Sequence, residues 1–217
     1  MEFSKIIWQT IDPVYEQIVD HPFNQELAKG TLEYRRFLFY LAQDADYLRG
    51  FSRVLALIAA RSESSTEIEQ FLELSKLTLL GERQLHAHFI SSKDWDGIQP
   101  TLSCIGYVSY LLSTASLSSL EEALASVLPC FWIYKRLGLW MKPFATEANP
   151  YNLWIQTYSS EEFSTAVDQV IALLDHVAES ASETTKLKMM KAFETSAYFE
   201  WHFWEDAYQM SLFKQMN

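Results

Sequence analysis

What most constrains this chain is its shortage of residues that interrupt a helix. Its 217 residues include 6 glycines and 6 prolines, about half of what ordinary usage of roughly 7% and 5% supplies. Apolar residues recur at a period of 3.6 and strand-like alternation is scarce. The chain therefore reads as all-α, a single domain over residues 1–217 built mostly of long helices.

Turn and cap residues divide it further. A first helix is expected from about Phe3 to Val19, because Pro22 forces its predecessor out of the helical region. A short turn follows through Phe23 to Lys29, stopped by Gly30, which suits a left-handed cap. Thr31-Leu32-Glu33-Tyr34 opens a long helix to about Ala60. The capping box Ser64-x-x-Glu67 starts another, to about Ile90. Lys93 to Gly97 reads as a turn. Pro100 or Thr101 begins a helix to about Thr114. Ser118-x-x-Glu121 and Ser119-x-x-Glu122 are alternative boxes for a helix to about Met141, with Pro129 inside it as a kink. Asn149-Pro150 caps a short helix ending near Thr157. Ser159-x-x-Glu162 caps one to about Ala178, and Glu183 opens the last, to about Phe213.

Charge excludes several functions. Seventeen Lys and Arg against 28 Asp and Glu leave −11. That balance argues against a basic surface neutralising phosphates and against docking on anionic lipid. The two cysteines, Cys104 and Cys130, are too few for a disulfide scaffold and fit thiols in a reducing cytosol. The first residues lack the pattern of a signal peptide. No apolar run approaches the ~18 residues of a membrane helix. The expected location is the cytoplasm.

Aromatic residues make up 15%, and they cluster with polar groups at helical spacing. Asp44 and Tyr47 are i, i+3; Cys130 and Tyr134 are i, i+4; Glu200 and Phe203 are i, i+3; Tyr107 and Tyr110 are i, i+3. Such pairs are neighbours on a helix surface. Taken singly, each has a plainer reading. An acid in a helix is usually exposed or paired, a free cysteine is a small buried hydrophobe, and aromatic stripes are core. Together, a thiol beside a proline, two acids in aromatic helices and matching tyrosines describe a pocket for a small flat heterocycle.

A metal reading fares worse. The bundle di-iron signature needs Glu-x-x-His. The residues three before the five histidines are Ile18, Arg83, Leu85, Leu173 and Phe199, none acidic. Glu82 and His86 are spaced i, i+4, which a solvated helix pair explains. No Cys-x-x-Cys, phosphate loop or Gly-x-Ser-x-Gly elbow appears. Neither a metal nor another cofactor is called for.

At these residues the sequence resembles the TenA/thiaminase II family. The likeness runs over nearly the whole chain. It includes His21-Pro22-Phe23 with Gly30-Thr31-Leu32, and Tyr40-Leu41-Ala42-Gln43-Asp44. It continues with Leu128-Pro129-Cys130-Phe131-Trp132-Ile133-Tyr134, Trp154-Ile155-Gln156-Thr157-Tyr158, and Glu200 through Tyr208. The resemblance implies a haem-oxygenase-like helical bundle and, through Cys130, the cysteine-containing class of the family. It implies hydrolysis of 4-amino-5-aminomethyl-2-methylpyrimidine to the hydroxymethylpyrimidine and cleavage of thiamin to that pyrimidine plus the thiazole. The role is salvage of thiamin breakdown products, and the usual assembly a homotetramer.

The resemblance also assigns residues. Cys130 matches the nucleophile, Glu200 the acid/base carboxylate and Asp44 the pyrimidine-binding aspartate. Tyr47, Tyr107, Tyr134, Tyr158 and Phe203 match the pocket aromatics. Asp46 and His202 lie beside the motifs without a family role, and Gln43 fits its motif without one. The chemistry suits these groups. A thiolate adding to the aminopyrimidine ring gives an electron-rich adduct that expels the leaving group, splitting one hard displacement into easier steps. A carboxyl group among aromatics holds its proton and can deliver it. Two other readings are a metal-dependent oxygenase on the same bundle and a non-catalytic pyrimidine-binding regulator. The missing Glu-x-x-His speaks against the first, the Cys130 and Glu200 pair against the second.

Overall fold

The computed structural model of the chain describes residues 2–89 and 98–211, without the side chains of residues 81–84, 86 and 87. The turn expected at 93–97 and the Glu82–His86 pair lie outside the described residues.

Among the described residues ten α-helices follow one another: α1 (Phe3–Gln9), α2 (Asp12–Asp20), α3 (Pro22–Lys29), α4 (Tyr34–Arg61), α5 (Ser65–Phe89), α6 (Leu102–Leu117), α7 (Leu120–Met141), α8 (Asn152–Tyr158), α9 (Glu161–Ser180) and α10 (Glu183–Gln209). A 3-10 turn at Lys142–Phe144 follows α7.

Several expected boundaries move, for local reasons. The first helix is two. Pro13 stands in the first turn of α2, and a proline ring conflicts with the carbonyl four residues earlier. That carbonyl belongs to Gln9, where α1 stops. The segment expected as a turn after Pro22 is a helix, α3. Its amino end is capped by His21, whose Nδ1 accepts from Phe23 N at 3.2 Å. Its other end is closed by Gly30 at φ 70. Thr101 is the cap of α6, its Oγ1 accepting from Cys104 N at 3.2 Å, and Pro100 is outside the helix. Ser160, not Ser159, caps α9, accepting from Phe163 N at 3.1 Å. Asn149 is not the amino-terminal cap of α8, a place taken by Tyr151. Its side-chain oxygen accepts from Tyr151 N at 2.9 Å, and its amide nitrogen donates to Ala28 O, also at 2.9 Å. The last helix closes at Gln209, followed by Met210 at φ 49. Residue 213, where it was expected to end, lies outside the described residues.

The helices form two compact units, each discontinuous in sequence: residues 1–32 with 121–201, and residues 33–120 with 202–217. In the first, Ile7, Ile11, Phe23, Leu27, Leu128, Ile133, Trp154 and Phe193 are buried. Ser4 ties α1 to α9 by donating from its amide and its hydroxyl to the Asp175 carboxylate, each at 2.7 Å. In the second, α4 packs against α5 and α6. Phe37, Tyr40, Leu55, Ile58, Leu111 and Trp204 are buried there. Arg61 closes the far end of α6 by donating to Ala115 O and Ser118 O at 2.5 and 2.6 Å. Among the described residues no helix is long and apolar enough to cross a membrane.

Candidate active site

The predicted site residues fall into two sets of four. Asp44, Tyr47, Tyr107 and Phe203 belong to the second unit; Cys130, Tyr134, Tyr158 and Glu200 belong to the first.

In the second unit α4 runs 28 residues without a break, so Asp44 and Tyr47 share a face one turn apart. Both are buried, as are Tyr107 on α6 and Phe203 on α10. The rings converge. Tyr47 lies 4.9 Å from Tyr107 with planes 31° apart, and 5.7 Å from Phe203 in an edge-on arrangement. Tyr40 closes the group, 6.0 Å from Phe203 at 90°.

Gln43 shows what its place in the sequence motif does. Its side-chain oxygen accepts from Thr101 N at 2.8 Å, and its amide nitrogen donates to Gln99 O at 3.2 Å. Its own carbonyl accepts from Cys104 Sγ at 3.5 Å. The residue before Asp44 thus pins the start of α6 to α4. Spacing alone gave no sign of this, because the partners lie 56 to 61 positions away.

Cys104 is sealed inside the second unit. It is 1% exposed. Burial, with the nearby Asp46 and Asp44 carboxylates behind it, pushes the thiol up to about 12. A thiol that stays protonated is neither nucleophile nor metal ligand. Cys104→Ser should leave kcat/KM for the pyrimidine substrate within about twofold of wild type; a loss beyond tenfold in steady-state assays would give this thiol a role. The other groups beside the motifs also find places. Asp46 pairs with Arg49 one turn on, and His202 is exposed.

In the first unit α7 continues through Pro129 and carries Cys130 and Tyr134 one turn apart. Cys130 is partly exposed and Tyr134 buried. Tyr134 and Tyr158 sit 4.9 Å apart at 55°, and Trp154 lies 4.6 Å from Tyr158. Gly138 makes this approach possible. A Cβ there would stand 2.5 Å from the carbonyl carbon and oxygen of Tyr158, inside any normal contact. Cys130, Tyr134 and Gly138 follow at four-residue steps, so they form one stripe of α7. Glu200 on α10 is 2% exposed. Ser196, one turn earlier, is fully buried, and its Oγ has no hydrogen-bond partner among the described residues. Trp201 meets the His21 ring edge-on at 5.9 Å.

An open depression of about 490 Å³ in the first unit, lined by Tyr15, Glu16, Val19, Asp20, Arg136, Leu139 and Trp140, holds none of the predicted site residues. Among the described residues no three His, Cys, Asp or Glu side chains gather as a metal site requires.

Comparison with known proteins places the chain in a family and a fold. The TENA/THI-4/PQQC family matches residues 8–210. The chain is 33% identical to the aminopyrimidine aminohydrolase of Halalkalibacterium halodurans, over 96% of each protein. It is 32% identical to that of Helicobacter pylori, over 96% of this chain and 100% of the other. The solved TenA homologue from P. horikoshii superposes with a TM-score of 0.87 at 27% identity, covering 97% of this chain and 100% of that one. A domain with a heme oxygenase-like fold from Shewanella denitrificans superposes with a TM-score of 0.75 at 13% identity, covering 97% and 93%. The expected all-α, haem-oxygenase-like fold is therefore the observed one. With its sequence matched over nearly all its length and full-length relatives above 30% identity, the chain belongs to the TENA/THI-4/PQQC family.

Proposed function

We propose that this protein hydrolyses 4-amino-5-aminomethyl-2-methylpyrimidine to the hydroxymethylpyrimidine plus ammonia, and cleaves thiamin to the same pyrimidine plus the thiazole. It is a hydrolase of thiamin salvage. The observation that carries this is the 33% identity along 96% of an aminopyrimidine aminohydrolase, in a chain that keeps a thiol, two buried carboxyl groups and the tyrosines the chemistry uses.

Each residue has separate work. Asp44 accepts hydrogen bonds from the pyrimidine amino group and a protonated ring nitrogen, and Tyr47, Tyr107 and Phe203 hold the ring by stacking. Cys130 adds through its sulfur to the ring carbon. The ring takes up a proton, and the electron-rich adduct expels the group on the exocyclic methylene. Water then adds to that methylene and the C–S bond breaks. Glu200 passes the protons, to the ring as sulfur adds and to the amine as it leaves. Tyr134 and Tyr158 supply hydroxyl groups beside the thiol.

Residues 1–217 act as one functional domain. The matched span supports this, as does α10, which contributes residues to both units. No cofactor takes part. The assembly is a homo-oligomer, a tetramer by family resemblance. Helix α6 supports self-association: it has no charged residue yet exposes Leu102 at 64% and Ile105 at 46%. Two thiols without a disulfide suit the cytoplasm.

The test is a side-by-side assay of the aminomethylpyrimidine and thiamin. Release of the hydroxymethylpyrimidine from the first is the expected result. A purified protein that leaves both substrates intact would end this reading.

A further inference from the structure

Gly50 sits in the middle of α4, where glycine weakens a helix relative to alanine. Its backbone needs no special freedom, since among the described glycines only Gly30 has positive φ. The reason lies across the interface with α6. A Cβ at residue 50 would stand 2.5 Å from Val108 Cγ1, 2.9 Å from Cγ2 and 3.3 Å from Cβ. Carbon atoms pack at about 3.5–4.0 Å, so α6 lies where residue 50 has room for a hydrogen alone.

Rotation of Val108 does not relieve this. Its Cβ offers three staggered positions, and methyl groups fill two of them. Both already face Gly50, so any other rotamer leaves at least one there. Only movement of α6 away from α4, by about 1 Å, restores a normal contact.

That movement falls on the predicted site. Gly50 is one turn beyond Tyr47, which is one turn beyond Asp44. Val108 is next to Tyr107. The Tyr47 and Tyr107 rings, 4.9 Å apart, are therefore held at a spacing that Gly50 permits. We propose that Gly50 is a positioning residue for pyrimidine binding: by admitting Val108 it fixes the Tyr47–Tyr107 pair beside Asp44. This rests on the reading above, in which Asp44 and these tyrosines hold the ring. A displacement of about 1 Å in such a site costs up to about a hundredfold.

The test uses full-length Gly50→Ala, Val108→Ala and the double variant, with steady-state kinetics on the aminomethylpyrimidine. Gly50→Ala should raise KM at least tenfold with kcat within about threefold, the signature of lost uniform binding. Adding Val108→Ala removes both colliding methyls and should bring KM back to within about threefold of wild type. A helix glycine with no such role gives a different result, with unchanged KM and equal or higher thermal stability. That outcome overturns the proposal, as does a raised KM that Val108→Ala fails to restore. If Gly50→Ala does not fold, Val108→Ile enlarges the same contact from the α6 side; a raised KM supports the role and a wild-type KM refutes it. Wild-type protein that leaves the substrate intact would defeat the functional reading and this role with it. Wild-type turnover with an unchanged KM in Gly50→Ala defeats the role of Gly50 alone.

Discussion

Replacing Cys130 with serine is expected to lower turnover by on the order of 10³-fold or more, the scale on which removing an activated nucleophile acts, while pyrimidine binding survives. The argument is one of acidity. Sulfur attacks the ring as a thiolate, and a thiol reaches that state near neutral pH. A serine hydroxyl in the same place is far less acidic and does not ionise there. Serine is close to cysteine in size, and Cys130 is only partly buried on a helix that continues through it, so the fold tolerates the exchange. Single-turnover assays and equilibrium binding of the hydroxymethylpyrimidine product separate the two effects. Turnover near wild type would remove the covalent mechanism. Lost binding would move Cys130 from chemistry to packing.

Why these two thiols differ was not legible in the sequence. Cys104 and Cys130 both sit in helical stretches with aromatics nearby; Cys130 was singled out by its spacing to Tyr134 and its place after Pro129, and its role as nucleophile came from the resemblance. The structure adds a physical reason: Cys104 is sealed at 1% exposure and held protonated by burial and by the acids of α4. The same limit explains the other surprises. Local signals were read where one residue carries them, as in the left-handed Gly30. They failed where a side chain serves a distant segment. Asn149 looked like a helix cap but is used by the end of α3, 121 positions away. Pro13 was passed over because the apolar period continues across the break it causes. Asp44 with Tyr47 and Cys130 with Tyr134 were legible, being one turn apart on a single helix. Tyr47 with Tyr107 and Tyr134 with Tyr158 were not, because pairing across helices depends on Gly50 and Gly138. A sequence shows these only as two glycines costing helix stability.

Glu200→Gln should lower aminopyrimidine hydrolysis by about two to four powers of ten, the usual range for general acid–base catalysis, and should harm thiamin cleavage less. Glu200 is 2% exposed, so glutamine keeps the size and the hydrogen-bonding capacity of a buried side chain but cannot carry a proton at neutral pH. The loss should appear in kcat rather than KM, since what is removed is used only as bonds change. Asp44→Asn provides the contrast. Asparagine at residue 44 presents an amide donor where the ring offers donors of its own, so KM should rise and what binds should be misoriented. The leaving group sharpens the assignment. An amine departs readily only after protonation, whereas the thiazolium of thiamin leaves as a neutral thiazole and asks for no proton. Ring protonation and activation of water are common to both substrates. A larger loss on the aminomethylpyrimidine than on thiamin therefore measures the proton given to the amine. Equal losses would mean that Glu200 serves the ring or the water, and the amine would need another donor; Ser196, buried one turn away on the same helix, is then the first to replace with alanine.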